Sequence, residues 1–173
     1  MDVQADDDVG ADPLALLRQP KRLAVLVFIL LEGGAEMVRR ERLVDVFWPD
    51  GDEASGRVAL RQTLSYLRDC LPDGAVRRRG NSAVGIDPAR VTCDVRVFRA
   101  LLDAGHRETA LELYRGRLLD GFLADVGEAF DAWLAERREH LHEMAAAGAW
   151  GLASRAEEEG TPSEAAFWAK RWL

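Results

Sequence analysis

The sequence of 173 residues has little of what secreted, membrane-spanning or disulfide-stabilised proteins contain. Its two cysteines, Cys70 and Cys93, are too few for a disulfide framework and favour a reducing, cytoplasmic setting. The longest apolar run, Leu23 to Leu31, has nine residues, which is about half of what a helix needs to cross a bilayer. No apolar leader opens the chain. We therefore expect a cytoplasmic protein without a membrane-spanning segment.

Metal-binding and catalytic motifs are also scarce. The chain has three histidines. On a helix His140 and His142 would point in different directions, and His106 has no close cysteine pair beside it. The sequence contains neither a nucleophile elbow nor a glycine-rich loop that could cradle a phosphate. These absences predict a protein that is not an enzyme and that uses no metal and no other cofactor.

The charges are unevenly distributed along a chain whose composition is typical of a globular protein. Apolar residues make up 48% of the chain and charged residues 31%. The net charge is -7, with -5 on residues 1–12, +3 on residues 13–90 and -5 on residues 91–173. A basic module joined to an acidic one fits a DNA-reading unit beside a protein-binding unit. Two unrelated surface compositions would give the same distribution.

The first part of the chain predicts a tail and two helices. Residues 1–12 are acidic and poor in large apolar side chains, so we expect a flexible tail that adds nothing to the core. A helix is expected from Pro20 through the apolar run to the pair Gly33–Gly34, with a strand as the alternative for so many branched residues. A short helix from Arg40 to Trp48 is expected to stop at Pro49.

The most informative element is the helix expected from about Asp52 or Glu53 to Leu71. Its leucines recur at helical spacing and form a core stripe. Beside that stripe, at about 100° per residue, several polar side chains share one exposed arc. The candidates for DNA contact on this arc are Arg57, Arg61, Gln62, Ser65 and Arg68.

A basic hairpin is expected after this helix. The segment Ala75–Ile86 reads as two short strands around a turn, with Arg77, Arg78 and Arg79 near its tip. Together, the helix and the hairpin carry side chains that are suited to binding DNA. A helix fits the major groove, arginine can bind guanine and glutamine adenine, and a basic wing can hold the adjacent phosphates.

From Asp94 onward the pattern indicates helices only. They are expected at the following positions: Asp94 to Gly105, about Glu108 to Arg115, about Glu128 to Glu158 with a break at Gly148 or Gly151, and after Gly160. Ala110 and Ala165 follow Gly105 and Gly160 at the same distance, which indicates either a repeated helical hairpin or a coincidence of small residues.

Several of these stretches together resemble a known family. The segments Glu41–Asp50 (ERLVDVFWPD) and Ala59–Arg68 (ALRQTLSYLR) are similar to the winged helix of SARP-type bacterial activators, the antibiotic regulatory proteins. Further on, Ala110–Gly116 (ALELYRG) and Leu118–Phe122 (LLDGF) look like the bacterial transcriptional activation domain. The resemblance covers about residues 14–173.

The resemblance implies a mainly α protein with two domains. An OmpR-type winged helix-turn-helix with a small β-hairpin wing would occupy residues 13–92, and a tetratricopeptide-like (TPR-like) helical domain residues 93–173. The protein would be a transcriptional regulator that binds double-stranded DNA through a recognition helix on Glu53–Leu71 and a wing on residues 77–79. The turn Pro49–Ser55 matches the loop with which OmpR-type proteins contact RNA polymerase. The helical domain would contact other proteins.

Two departures from the family pattern lead to further expectations. Winged helices of this type begin with a small antiparallel sheet, but only acidic or turn-prone residues precede Pro20, so we expect that sheet to be absent or vestigial. The chain also stops at Leu173 inside a packed helix, so we expect a further C-terminal region or a partner that covers this end. The alternative function is a protein-interaction adaptor that retains both scaffolds without binding DNA, which the net negative charge favours.

Overall fold

The computed structural model describes residues 3–5, 13–33, 37–122 and 125–171. Their structure is mainly α-helical with a few short strands, which confirms the predicted fold class at that level. The chain divides into two compact units. The N-terminal unit comprises Asp2–Cys93 and Gly121–Trp133, and the C-terminal unit comprises Asp94–Asp120 and Leu134–Leu173. Among the described residues, no helix combines the length and the apolar character that crossing a bilayer requires.

Helices α1 to α4 lie in the N-terminal unit. They span Pro13–Leu17, Pro20–Gly33, Arg40–Phe47 and Glu53–Cys70. The helices predicted for this region are therefore confirmed, and the strand alternative for the apolar run is excluded. Every residue of α2 from Ala24 to Leu30 is buried. A helix can be apolar on all sides in such a place because its backbone hydrogen bonds are satisfied within the helix itself.

Among the described residues, five short strands form two antiparallel sheets. Strands β1 to β5 span Val3–Ala5, Val38–Arg39, Val76–Arg79, Ala83–Ile86 and Val91–Cys93. The hairpin predicted for residues 75–86 is confirmed as β3 and β4. Strand β2, which the sequence analysis did not predict, pairs with the other side of β4 and gives the order β2-β4-β3. This pairing joins the start of α3 to the hairpin.

Strand β1 lies inside the segment 1–12 that was expected to be a flexible tail. Residues Val3 to Ala5 instead pair with Val91 to Cys93 of β5. Backbone N–H and C=O groups form this ladder, so a polar composition does not prevent it. A strand therefore precedes the first helix, in the region where the opening sheet of a winged helix was expected to be absent or vestigial. The other residues of the expected tail lie outside the described ranges.

Aromatic side chains explain why residues 121–133 belong to the N-terminal unit. Phe130 and Trp133 stack with ring centroids 5.4 Å apart, and Phe130 also lies 5.4 Å from Phe47. Trp133 contacts Phe28 at 4.7 Å and donates a hydrogen bond from Nε1 to Glu32 Oε1 (2.8 Å). The sequence predicts this segment as part of the helical domain 93–173, because no local pattern indicates contacts with residues so distant in the chain.

Helices α3 and α4 pack closely at Gly56. A Cβ atom on this buried glycine would lie 2.6 Å from Val44 Cγ1 and 3.6 Å from Trp48 Cβ. These distances leave no space for a methyl group unless the Val44 side chain or α3 moves. The absence of a side chain at Gly56 therefore sets the distance between α3 and α4.

Replacing Gly56 with alanine should destabilise the protein although alanine is the better helix former. The gain in helix propensity is about 1 kcal/mol, whereas overpacking of a close contact costs about 1–3 kcal/mol. We expect a net loss, measured as a lower free energy of unfolding in urea. Gly116→Ala is the control, because nothing lies within 4 Å of the added Cβ. A Gly56→Ala variant more stable than the wild type would contradict the close packing.

Helices α5 to α8 include those of the C-terminal unit. They span Asp94–Asp103, Arg107–Leu113, Glu128–Glu158 and Pro162–Arg171. Helix α7 continues without interruption through Gly148 and Gly151, where the sequence analysis expected a break. Both glycines instead make room for neighbours, since a Cβ on Gly148 would lie 3.2 Å from Leu102 Cδ2 and one on Gly151 3.2 Å from Arg107 Nε.

The two helix ends at Gly105 and Gly160 are built alike. Both glycines have positive φ, 81° and 73°. The residue after each glycine donates its N–H to a carbonyl five positions earlier: His106 N to Leu101 O and Thr161 N to Ala156 O, each 2.8 Å. This is a Schellman-type helix end, which needs a left-handed residue. Ala110 and Ala165 are both buried in the helices that follow, so the two segments share a turn as well as a spacing.

Candidate nucleic-acid interface

The N-cap and the leucine stripe of α4 determine which of its faces reaches solvent. The side chain of Asp52 accepts hydrogen bonds from Ser55 N (2.8 Å) and Ser55 Oγ (2.7 Å). The bond from the Ser55 backbone and the one from its hydroxyl lower the pKa of Asp52 below its ordinary value of 3.8, because both stabilise the carboxylate. The predicted core stripe is confirmed, since Leu60, Leu64 and Leu67 are buried. The opposite face of α4 is therefore left exposed.

The polar residues predicted for that face lie outside the core. Arg57, Arg61, Gln62 and Ser65 are exposed, and Arg68 is half-buried. Arg57 differs from the other arginines because its guanidinium forms an ion pair with Glu53, one turn earlier on α4. An exposed ion pair of this kind is weak, but it reduces the positive charge at the start of the helix. The sequence analysis did not foresee this pair.

The pleat of β3 divides the three arginines of the hairpin. Arg78 lies opposite the buried Val84 of β4. Because side chains alternate along a strand, Arg78 is on the same face as the buried Val76, whereas Arg77 and Arg79 project from the other face. All three are exposed. The prediction treated them as one basic wing, but they belong to two surfaces.

Arg40, at the start of α3, lies near Arg78 of the hairpin and near Arg61 and Arg68 of α4. Burial lowers the pKa of the Arg40 guanidinium. Three neighbouring positive charges lower it further, those of Arg78, Arg68 and Arg61. We call these four residues the arginine cluster. In the part of the chain that the structure describes, no salt bridge joins any of them to a carboxylate.

Arg40 is the member of the cluster that the sequence analysis missed. Its backbone N–H donates a hydrogen bond to Ser82 O at the hairpin turn (2.9 Å), a contact that follows from the pairing of β2 with β4. The basic pair Arg39–Arg40 before an amphipathic helix was the available signal. Only the strand register shows that Arg39 and Arg40 belong to different surfaces. Arg39 lies opposite Ala83, as Arg79 does, so Arg39 is on the face of the sheet that carries Arg79 and not on the face that carries Arg78.

An open depression of about 420 Å³ runs along the solvent face of α4. It is lined by Ala54, Ser55, Val58, Ala59 and Gln62. Val58 is 43% exposed. An apolar group can contact the methyl group of thymine, and a glutamine amide can pair with adenine. This part of α4 therefore offers uncharged groups that can distinguish bases.

The cluster and the depression provide the two kinds of contact that a DNA-binding surface needs. Guanidinium groups bind phosphate through charge-assisted and often bidentate hydrogen bonds. The depression carries no charge of its own, and both features share α4. No protein-family model matches the chain, and comparison with curated proteins finds no significant match.

Proposed function

We propose that the N-terminal unit is a winged helix-turn-helix domain that binds double-stranded DNA, and that the protein is a transcriptional regulator. The arginine cluster carries this proposal. Arginines from α3, α4 and β3 lie together, without ion-pair partners among the described residues. Such a surface attracts a polyanion even on a protein with a net charge of -7, because nearby charges dominate over distant ones that salt screens.

The order of the elements supports the proposal. Helix α3, a turn and α4 are followed by the β3–β4 hairpin. In helix-turn-helix proteins the second helix enters the major groove, and here that helix is α4. The hairpin is tied to α3 through β2, so it is held beside the helix that would enter the groove. This arrangement agrees with the resemblance to SARP-type activators.

The positions of the side chains suggest a division of roles. We assign Arg61, Gln62 and Ser65 to base edges, because they are exposed on the solvent face of α4. We assign Arg68 and Arg78 to phosphates, because they lie where the helix meets the hairpin. Three further candidates are less favourably placed: Arg57 is paired with Glu53, and Arg77 and Arg79 lie on the other face of the sheet.

The C-terminal unit, which we propose to be TPR-like, is suited to protein contacts. Trp150 is 72% exposed and Phe167 is 54% exposed. Large exposed aromatic side chains are typical of protein-binding surfaces. This unit, residues 94–120 and 134–173, carries a net charge of -2, and the arginine cluster lies in the other unit. RNA polymerase is the partner that the resemblance to SARP-type activators suggests.

A second candidate function is that of a protein-interaction adaptor that keeps both scaffolds without binding DNA. The exposed Trp150 favours it, because the side chain offers a large apolar surface to a partner. The ion pair between Glu53 and Arg57 also favours it, because it neutralises one of the basic groups on α4. The two functions differ in whether the N-terminal unit binds a duplex.

Titration of the full chain with a short duplex of arbitrary sequence, followed by fluorescence anisotropy, separates these functions. A regulator should bind at about 50 mM salt and lose affinity steeply toward about 200 mM, with a log–log slope of about -0.9 for each phosphate that it neutralises. A competitor duplex without the label should displace the complex. Absence of binding at about 50 mM salt would rule out the DNA-binding function and leave the adaptor.

A further inference from the structure

Arg40 occupies an unfavourable position for a cation. Its Nε atom is buried, and no acceptor for its N–H is found among the described residues. The side chain is only half-exposed, and three other guanidinium groups act on it. A buried N–H without an acceptor is destabilising, and repulsion between like charges adds to the cost.

The backbone prevents Arg40 from moving away from this position. Residues 38 and 39 pair with β4, and Arg40 N donates to Ser82 O (2.9 Å). Ser82 is itself fixed at the hairpin turn, since its Oγ donates to Arg79 O (3.0 Å). The next residues already belong to α3. Two elements therefore hold Arg40 at the junction of α3, α4 and the hairpin.

Positions that break the usual rules of burial and charge are expected where a ligand supplies the missing interaction. The four arginines of the cluster come from three different elements, so their convergence follows from the tertiary fold and not from a run of basic residues. A single tetrahedral anion can accept hydrogen bonds from several guanidinium groups at once. Phosphate is a tetrahedral anion that matches the forked donors of arginine, and it is the anion that a duplex supplies.

We propose that Arg40, Arg68 and Arg78 of the arginine cluster form a binding site for one phosphate group, and that Arg40 completes this site. The inference rests on the proposed function, because the phosphate is assigned to the backbone of bound DNA. A free phosphate anion has the same chemistry and is the alternative source. Bound at the cluster, a backbone phosphate would fix the position of the duplex against α4 without regard to its sequence.

Arg40→Met tests the site, since methionine keeps an apolar stem and removes the charge. Duplex affinity of the full chain should fall about tenfold, equally for unrelated sequences, and the salt slope should decrease by about 0.9. Arg40→Lys, which keeps the charge, should retain most of the affinity. Arg42→Met is the matched control, because Arg42 is exposed on the same helix and lies outside the cluster. It should bind like the wild type.

A second measurement separates a binding role from a structural one. In buffer without phosphate or DNA, the thermal midpoint of Arg40→Met should equal or exceed that of the wild type, because the substitution removes repulsion between like charges. Added inorganic phosphate should raise the midpoint of the wild type more than that of the variant. A lower midpoint for Arg40→Met without phosphate would instead assign Arg40 a structural role and overturn the site.

Failure of the site and failure of the proposed function give different results. If Arg40→Met binds duplex as tightly as Arg42→Met, with an unchanged salt slope, the site is wrong and DNA binding stands. If the wild type binds no duplex, the proposed DNA-binding function is wrong. The shift of the thermal midpoint with inorganic phosphate then decides whether the anion site exists. Selective stabilisation of the wild type would then support a site for a free anion, and equal stabilisation of both proteins would overturn it.

Discussion

Simultaneous replacement of Arg61, Arg68 and Arg78 with alanine should weaken duplex binding at least about a hundredfold. Each guanidinium that contacts DNA contributes about 1–3 kcal/mol, so the loss of three costs about 3–9 kcal/mol, and the lower end of this range already corresponds to about a hundredfold in affinity. The salt slope should decrease by about 0.9, because Arg68 and Arg78 are assigned to the same phosphate and each phosphate that the protein neutralises contributes about 0.9. Fluorescence anisotropy over a series of salt concentrations measures both quantities.

The control for this variant removes the same charge from another surface. Arg99, Arg115 and Arg117 lie in the C-terminal unit, outside the arginine cluster. Their joint replacement with alanine changes the net charge equally, and it should leave the affinity within about threefold of the wild type if the cluster is the interface. An equal loss in both triple variants would show that overall charge governs binding, and the cluster would no longer support the proposed function.

Phe130→Ala should destabilise the N-terminal unit by about 3–5 kcal/mol, because a large aromatic side chain is removed from a packed core. Phe130 is fully buried, with its ring 5.4 Å from that of Phe47 and 5.4 Å from that of Trp133. The neighbouring chain has little freedom to fill the resulting cavity, since Phe28 already contacts both of these partners. Urea denaturation followed by tryptophan fluorescence measures the change.

Phe167→Ala is the matched control for this substitution. Phe167 is 54% exposed, so its truncation should change the free energy of unfolding by less than about 0.5 kcal/mol. A similarly small effect at Phe130 would mean that residues 121–133 do not belong to the core of the N-terminal unit. The position of this segment would then have to be revised, and with it the boundary between the two units.

The positions of α2 to α8 could be predicted because they depend on local signals. Pro20 marks the start of α2 and Gly33 its end, and Pro49 follows soon after α3 ends. The exposed arc of α4 could be predicted for the same reason, since the spacing of its leucines determines which residues face away from the core. A helix of this kind relates residues that are only three or four positions apart.

Strand pairing and long-range packing could not be predicted in the same way. Strands β1 and β2 are too short to show an alternating pattern of apolar and polar residues, yet each pairs with a strand far along the chain. Phe130 and Trp133 read as ordinary helical residues, and only their contacts with Phe28 and Phe47 place them in the N-terminal core. Such contacts depend on the tertiary arrangement, and the sequence around these residues has no pattern that predicts them.

The same distinction holds for the candidate interface. Local spacing was enough to identify a mainly helical protein with a basic, solvent-facing helix, because periodicity and helix ends involve neighbouring residues. Which arginines share a surface depended on the register of β2, β4 and β3. A strand that shifts by one residue turns each side chain to the opposite face. That register brings Arg40 and Arg78 to α4 and directs Arg77 and Arg79 away from it.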